Sequence, residues 1–154
     1  MKLNKYIQKL CCFYASDWHL TVMLLPYINN KIDKNSSIYM KCENSIEEKM
    51  IILLNKLDIK NKRNIMNINW NNQIQEDDDN KNEKIFIISG SEDYISNTNK
   101  TIEQYYNKKN IKVKIINCYE ILEKNNLSEI IQKNGYTKIL NTNGENKIAD
   151  YKFN

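Results

Sequence analysis

Along this chain, short unbroken apolar runs alternate with stretches whose apolar residues recur every three or four positions. Residues 10–15 (LCCFYA) and 85–88 (IFII) are continuous runs, the pattern of strands covered on both faces. Residues 37–41 (SIYMK), 111–117 (IKVKIIN) and 138–140 (KIL) predict three further strands. In the fourth of these five, Lys112 and Lys114 alternate with apolar neighbours, which predicts a wetter end or face.

Helical spacing fills the intervals. Ser16-Asp17 offers an N-cap, and Leu20, Leu24, Tyr27, Ile28 and Ile32 then share one stripe. Pro26 lies inside that stripe and lacks the N–H for a bond to Val22, so a kink is expected there. Ser45 and Glu48 fit a capping box ahead of a helix that buries Met50, Ile51, Leu53, Leu54 and Leu57. A short helix is expected at 61–68, and residues 71–83 read as a polar surface loop. Tyr94, Thr98, Ile102, Tyr105 and Tyr106 mark another helical face. A fourth main helix spans 121–133, interrupted near Asn125-Asn126, with Gly135 as its C′ residue. Residues 141–144 read as a turn and 147–153 as an antiparallel edge strand.

Strands separated by helices pair in parallel through right-handed crossovers. The expected fold is therefore α/β: a single domain over 1–154, a three-layer sandwich around a mostly parallel, Rossmann-like five-stranded sheet with that antiparallel edge strand. At 154 residues, the chain is long enough to bury a core without metal or disulfides.

Composition then changes the picture. Asn, Ile and Lys dominate and Arg63 is the one arginine among 23 basic residues, which reads as an A/T-rich bacterial genome. The net charge of +4 is thus scattered lysine, without the clustered basic face that nucleic acid demands. The apolar stretch near the N-terminus is too short for a secretory signal, and no run approaches the 20 or so residues that span a bilayer, so a cytoplasmic protein is expected. Cys11, Cys12, Cys42 and Cys118 show no C-x-x-C or Cys/His spacing, so they are expected as free, buried thiols, with no metal site. The acidic run at 76–79 does not match a calcium loop and reads as solvated surface.

In open α/β sheets, ligands bind outside the carboxyl ends of the strands. That rule gathers Ser16, Asp17 and His19 after the first strand, Asn44 after the second, Ser89, Gly90 and Ser91 after the third, and Asn117 at the end of the fourth. No G-x-G-x-x-G or G-x-x-x-x-G-K-[ST] is present, and no cofactor is implied. His19 is the single histidine, so a histidine acid–base mechanism would have to use it with Cys42, Ser89, Ser91 or Asp93. Too few catalytic groups converge to favour an enzyme.

Cys12-Phe13-Tyr14, Leu25-Pro26-Tyr27-Ile28, Ser37-Ile38-Tyr39 with Glu43-Asn44-Ser45 and Glu47-Glu48, and later Ile116-Asn117-Cys118-Tyr119, together resemble the MEDS sensory-domain family. The family's Gly-Glu step is represented here by Ser89–Glu92, and its late His-Pro by Asn134-Gly135. The resemblance implies a RecA-like core without its ATP-binding motif, serving as a sensor. The expectation is a non-enzymatic sensory or regulatory module that binds a small molecule or a regulatory protein partner. The alternative is a small Rossmann-like nucleotide-binding protein or enzyme using the Ser89–Asp93 turn and the Asp17/His19 rim.

Overall fold

β1 (Ile7–Tyr14) is the hub of the sheet, although its neighbours β5 (Val113–Glu120) and β6 (Lys138–Asn141) come far later in the chain. The computed structural model describes residues 5–70, 83–121 and 127–150. Beyond β5 lie β4 (Glu83–Ser89), β2 (Ser36–Cys42) and the two-residue β3 (Asn69–Trp70), and beyond β6 lies β7 (Gly144–Lys147). The order is β3-β2-β4-β5-β1-β6-β7, parallel throughout except for the β6–β7 hairpin. The protein is α/β, with seven strands where five were expected.

Right-handed crossovers put connections that run in opposite directions along the sheet on opposite faces. α1 (Asp17–Asp33), α2 (Glu47–Lys56) and α3 (Lys62–Met66) cover one face, over Leu10, Cys12, Ile38, Met40, Ile85, Ile87 and Ile116. α4 (Glu92–Tyr106) and α5 (Leu127–Asn134) cover the other, over Cys11, Phe13, Phe86, Ile88, Val113 and Ile115. β4 is buried at every position, as its unbroken apolar centre requires. Each fully buried Leu or Ile contributes about 1.5–3 kcal/mol through its loss of contact with water.

The differences from the sequence reading have local causes. β3 and β7 are too short to leave a periodic signal. The return strand starts at Gly144 because Asn141 pairs directly with it, with Gly144 in the left-handed region at φ 96°. Residues 151–153 and 71–82, including the acidic run, lie outside the described residues, as does the expected break at 125–126. Glu83, expected in the loop, instead opens β4 and is buried. The chain stays helical through Pro26, whose side chain and neighbour Val22 are exposed, so the carbonyl it cannot serve sits on the watery side. The capping box does not form: Ile46 is the N-cap, held in the core, and the Ser45 hydroxyl accepts from the Glu47 amide at 3.2 Å. Gly135, at φ 68°, closes α5 in a Schellman turn, with Tyr136 N–H donating to the Ile131 carbonyl at 3.2 Å and Gly135 N–H to that of Gln132 at 3.3 Å. No helix among the described residues is long and apolar enough to cross a membrane.

Candidate functional site

The strand order produces two places where adjacent strands send their helices to opposite faces, the β2/β4 and β1/β5 seams. Such a divergence opens a crevice at the carboxyl ends. The chain fills much of both crevices with its own groups.

At the β2/β4 seam, the Ser89-Gly90-Ser91 turn carries the chain into α4. The Ser91 N–H donates to Glu43 Oε1 at 2.8 Å, and the Ser91 hydroxyl accepts from the Tyr94 N–H at 3.1 Å as the N-cap. A helix N-terminus attracts anions, and here Glu43 supplies one from within. Gly90 has φ +153°, and a Cβ there would lie 2.8 Å from Glu43 Cβ and 2.9 Å from Tyr94 Cδ2. Ser89 is buried in a row that the strand register extends from Cys42 through Ser89 and Cys118 to Cys12. Burial pushes the Cys42 thiol up, partly countered by the Ser89 hydroxyl, and burial likewise pushes Cys118 up. All four cysteines are free. Asn44 is exposed beside this turn.

At the β1/β5 seam only Ala15 and Ser16 separate β1 from α1. Ser16 caps the helix, accepting from the His19 N–H at 3.1 Å. His19 Nδ1 accepts the Ala15 N–H at 2.8 Å, which ties the ring to its own turn and sets the proton of a neutral imidazole on Nε2. The Asp17 carbonyl accepts from the Thr21 hydroxyl at 2.7 Å. His19 has no hydrogen bond to Cys42, Ser89, Ser91 or Asp93 among the described residues.

Asn117 stands apart from both groups. Pairing with β1 continues as far as Glu120, so Asn117 lies inside β5 rather than at its end. Its side chain faces α4 and α5 and is almost fully buried. Asn99 of α4 meets it reciprocally: Asn99 Nδ2 donates to Asn117 Oδ1 at 2.8 Å, and Asn117 Nδ2 to Asn99 Oδ1 at 3.1 Å. Asn99 Nδ2 also donates to the Ile95 carbonyl at 2.7 Å, which only accepts and so fixes both amide orientations. Asn117 Nδ2 donates to the Tyr136 hydroxyl at 2.8 Å, and that hydroxyl lies 2.6 Å from the Tyr119 hydroxyl. Burial pushes the Tyr119 phenol up to about 12, and the Tyr136 phenol is also raised, first by burial and then by Tyr119. Both are neutral over the physiological range.

These four side chains floor a cleft of about 310 Å³ between α4 and α5. Glu92 and Asp93 flank it from the start of α4, and Lys100 and Lys133 from further along α4 and α5. A proton count shows what the floor offers. Two phenolic protons share one hydrogen bond, and Tyr136 already accepts from Asn117. Among the described residues one O–H is therefore left without an acceptor at the cleft floor, whichever phenol carries it.

The sequence reading reached Asn117, and Tyr119 at the same strand end, but not Asn99 or Tyr136. One signal was present for Asn99. It lies on the same stripe as the buried Ile95, Ile102 and Tyr106, where a polar residue announces a buried hydrogen bond. Glu43 stands at the end of the second strand in the sequence, but its pairing was not legible there, because the partner amide is 48 residues away. Among the described residues no three His, Cys, Asp or Glu side chains come together as a metal site. No family model, curated protein or solved structure matches the chain.

Proposed function

We propose that the protein is a small-molecule binding module of the sensory or regulatory kind, whose ligand occupies the α4–α5 cleft above the Asn99–Asn117–Tyr136–Tyr119 floor. The observation that carries this reading is the surplus phenolic O–H at the floor of a walled, polar cleft. Buried polar groups are costly unless bonded, and among the described residues this one has no acceptor, which a ligand in the cleft would supply. A preformed amide–phenol floor orients a polar ligand with little reorganisation. A sensor of this kind would pass its occupancy to a regulatory partner through α4 and α5, which form the walls.

The nucleotide alternative has less support. It needs free backbone amides at a helix N-terminus. At α4 the Ser91 N–H is taken by Glu43 and the Tyr94 N–H by Ser91, and at α1 the His19 N–H is taken by Ser16. The Asp17/His19 rim has its imidazole engaged by the Ala15 N–H.

The test is amide NMR of the full chain with three probe sets: free L-amino acids, monosaccharides and nucleosides. At least one set should move the Asn99, Asn117 and Tyr119 resonances saturably. Tyr136→Phe should weaken that ligand about 3–10-fold, the equivalent of one hydrogen bond. Shifts confined to other surfaces, or unchanged binding in both Tyr136→Phe and Tyr119→Phe, would refute the site.

A further inference from the structure

The opposite face of the sheet carries a second cleft, of about 420 Å³, between the second half of α1 and the β6–β7 turn. Its inner end is a buried ion cluster. Glu145 Oε2 accepts from Lys114 Nζ and from the Tyr27 hydroxyl, each at 2.7 Å. Lys31, one helical turn beyond Tyr27, lies 3.7 Å from the same oxygen and 3.9 Å from Glu83 Oε1. Lys112 lies 3.6 Å from the other oxygen of Glu83. We propose that this cleft is a binding site for a small organic monocarboxylate, held by the Lys31 ammonium.

Three observations carry the proposal. First, the Lys31 side chain is only 17% exposed, yet among the described residues its three N–H donors find no acceptor at hydrogen-bond distance. Both carboxylates near it are engaged more closely by another group. Second, among the described residues the buried lysines Lys31 and Lys114 balance Glu83 and Glu145, and Lys112, 68% exposed, adds a positive charge at the rim. A single negative charge suits that setting, whereas a dianion would meet the two carboxylates. Third, Met23 and Pro26 give the cleft an apolar wall, while Asn30 and Asn143 give it amides. That combination suits a carboxylate with a short carbon chain. Burial, and then the Lys114 charge, lower the Lys31 pKa, and the Glu145 and Glu83 carboxylates offset this only in part.

Sodium propionate and propionamide, titrated into the labelled full chain at constant ionic strength, decide the matter. Propionate should produce saturable shifts at Asn30, Lys31 and Asn143, and the uncharged propionamide none. Lys31→Met should weaken propionate at least about fivefold, and Lys31→Arg should keep it within about threefold. The proposal is overturned if propionamide matches propionate, if sodium chloride reproduces the shifts, if Lys31→Met binds as well as the parent, or if phosphate binds there more tightly. The propionate–propionamide comparison uses the unsubstituted protein and so stands even if a Lys31 variant fails to fold.

Discussion

Replacing Glu145 by Gln removes one charge and keeps an oxygen that Tyr27 can still donate to. What it strands is Lys114, whose side chain is 8% exposed and whose 2.7 Å ion pair is with Glu145. Removing one partner of a fully buried pair costs about 3–5 kcal/mol, because the remaining charge is left uncompensated. Glu145 itself is 21% exposed, so water recovers part of that loss and the lower end, about 3 kcal/mol, applies. Near this chain length each kcal/mol moves the melting temperature by about 2–4 °C, so Glu145→Gln should lower it by about 6–12 °C. Urea unfolding of Glu145→Gln, Lys114→Met and the double variant completes the cycle. The double variant should be more stable than Glu145→Gln alone, with a coupling of about 2 kcal/mol or more. Strict additivity, or a loss below about 1 kcal/mol in Glu145→Gln, would show that Lys114 is solvated and the cluster is not a buried one. The acid limb of stability follows with a definite sign. Burial raises the Glu145 pKa, but hydrogen bonds from Lys114 and Tyr27 and the nearby lysine charges outweigh it and hold the carboxyl below its ordinary value. Its contribution is therefore full above the unfolded carboxylate pKa of about 4.3 and is lost as pH falls through the lower folded value.

Asn117→Leu should cost about 2–3 kcal/mol in urea unfolding, because it orphans the buried Asn99 amide, and Asn99→Leu added to it should recover part of the loss; no recovery would refute the reciprocal pair. Gly90→Ala should destabilise by more than about 1 kcal/mol, through its φ of +153° and the approach to Glu43, and its effect should overlap that of Glu43→Ala in a double-mutant cycle. Thiol titration should find four reactive groups in unreduced, denatured protein and almost none in the native state, since the cysteines are free and buried and desolvation, followed by the Cys12 charge, pushes Cys11 to about 12.

How far the fold could be read from the chain follows from which forces are local. Unbroken apolar runs such as 85–88 and helical stripes such as that of α1 are written in neighbouring residues, so the α/β class, the main strands, the Ser16 cap and the Gly135 stop were all legible. Strand order was not, because it depends on which long-range pairing leaves the least apolar surface exposed. β1 pairs with residues more than a hundred positions away. Length hid the two residues of β3 and blurred the bounds of the antiparallel edge strand, whose four residues lie earlier than expected.

The candidate site divides in the same way. Residue chemistry alone pointed to the strand ends and included Asn117. Only the packed sheet set Asn117 on a different face from the rim of Ser16, Asp17 and His19 and from the Ser89–Ser91 turn, because side chains alternate across a strand and β5 runs three residues further than its pattern suggested. Lys114 makes the point most directly. Its alternation with apolar neighbours predicts a wet position. In the fold it is buried, because a hairpin 31 residues later delivers Glu145 to it and the pair satisfies in the interior what water would otherwise satisfy outside. A periodic pattern records which side chains differ from their neighbours. Tertiary structure decides whether a charge that differs meets solvent or a counter-charge.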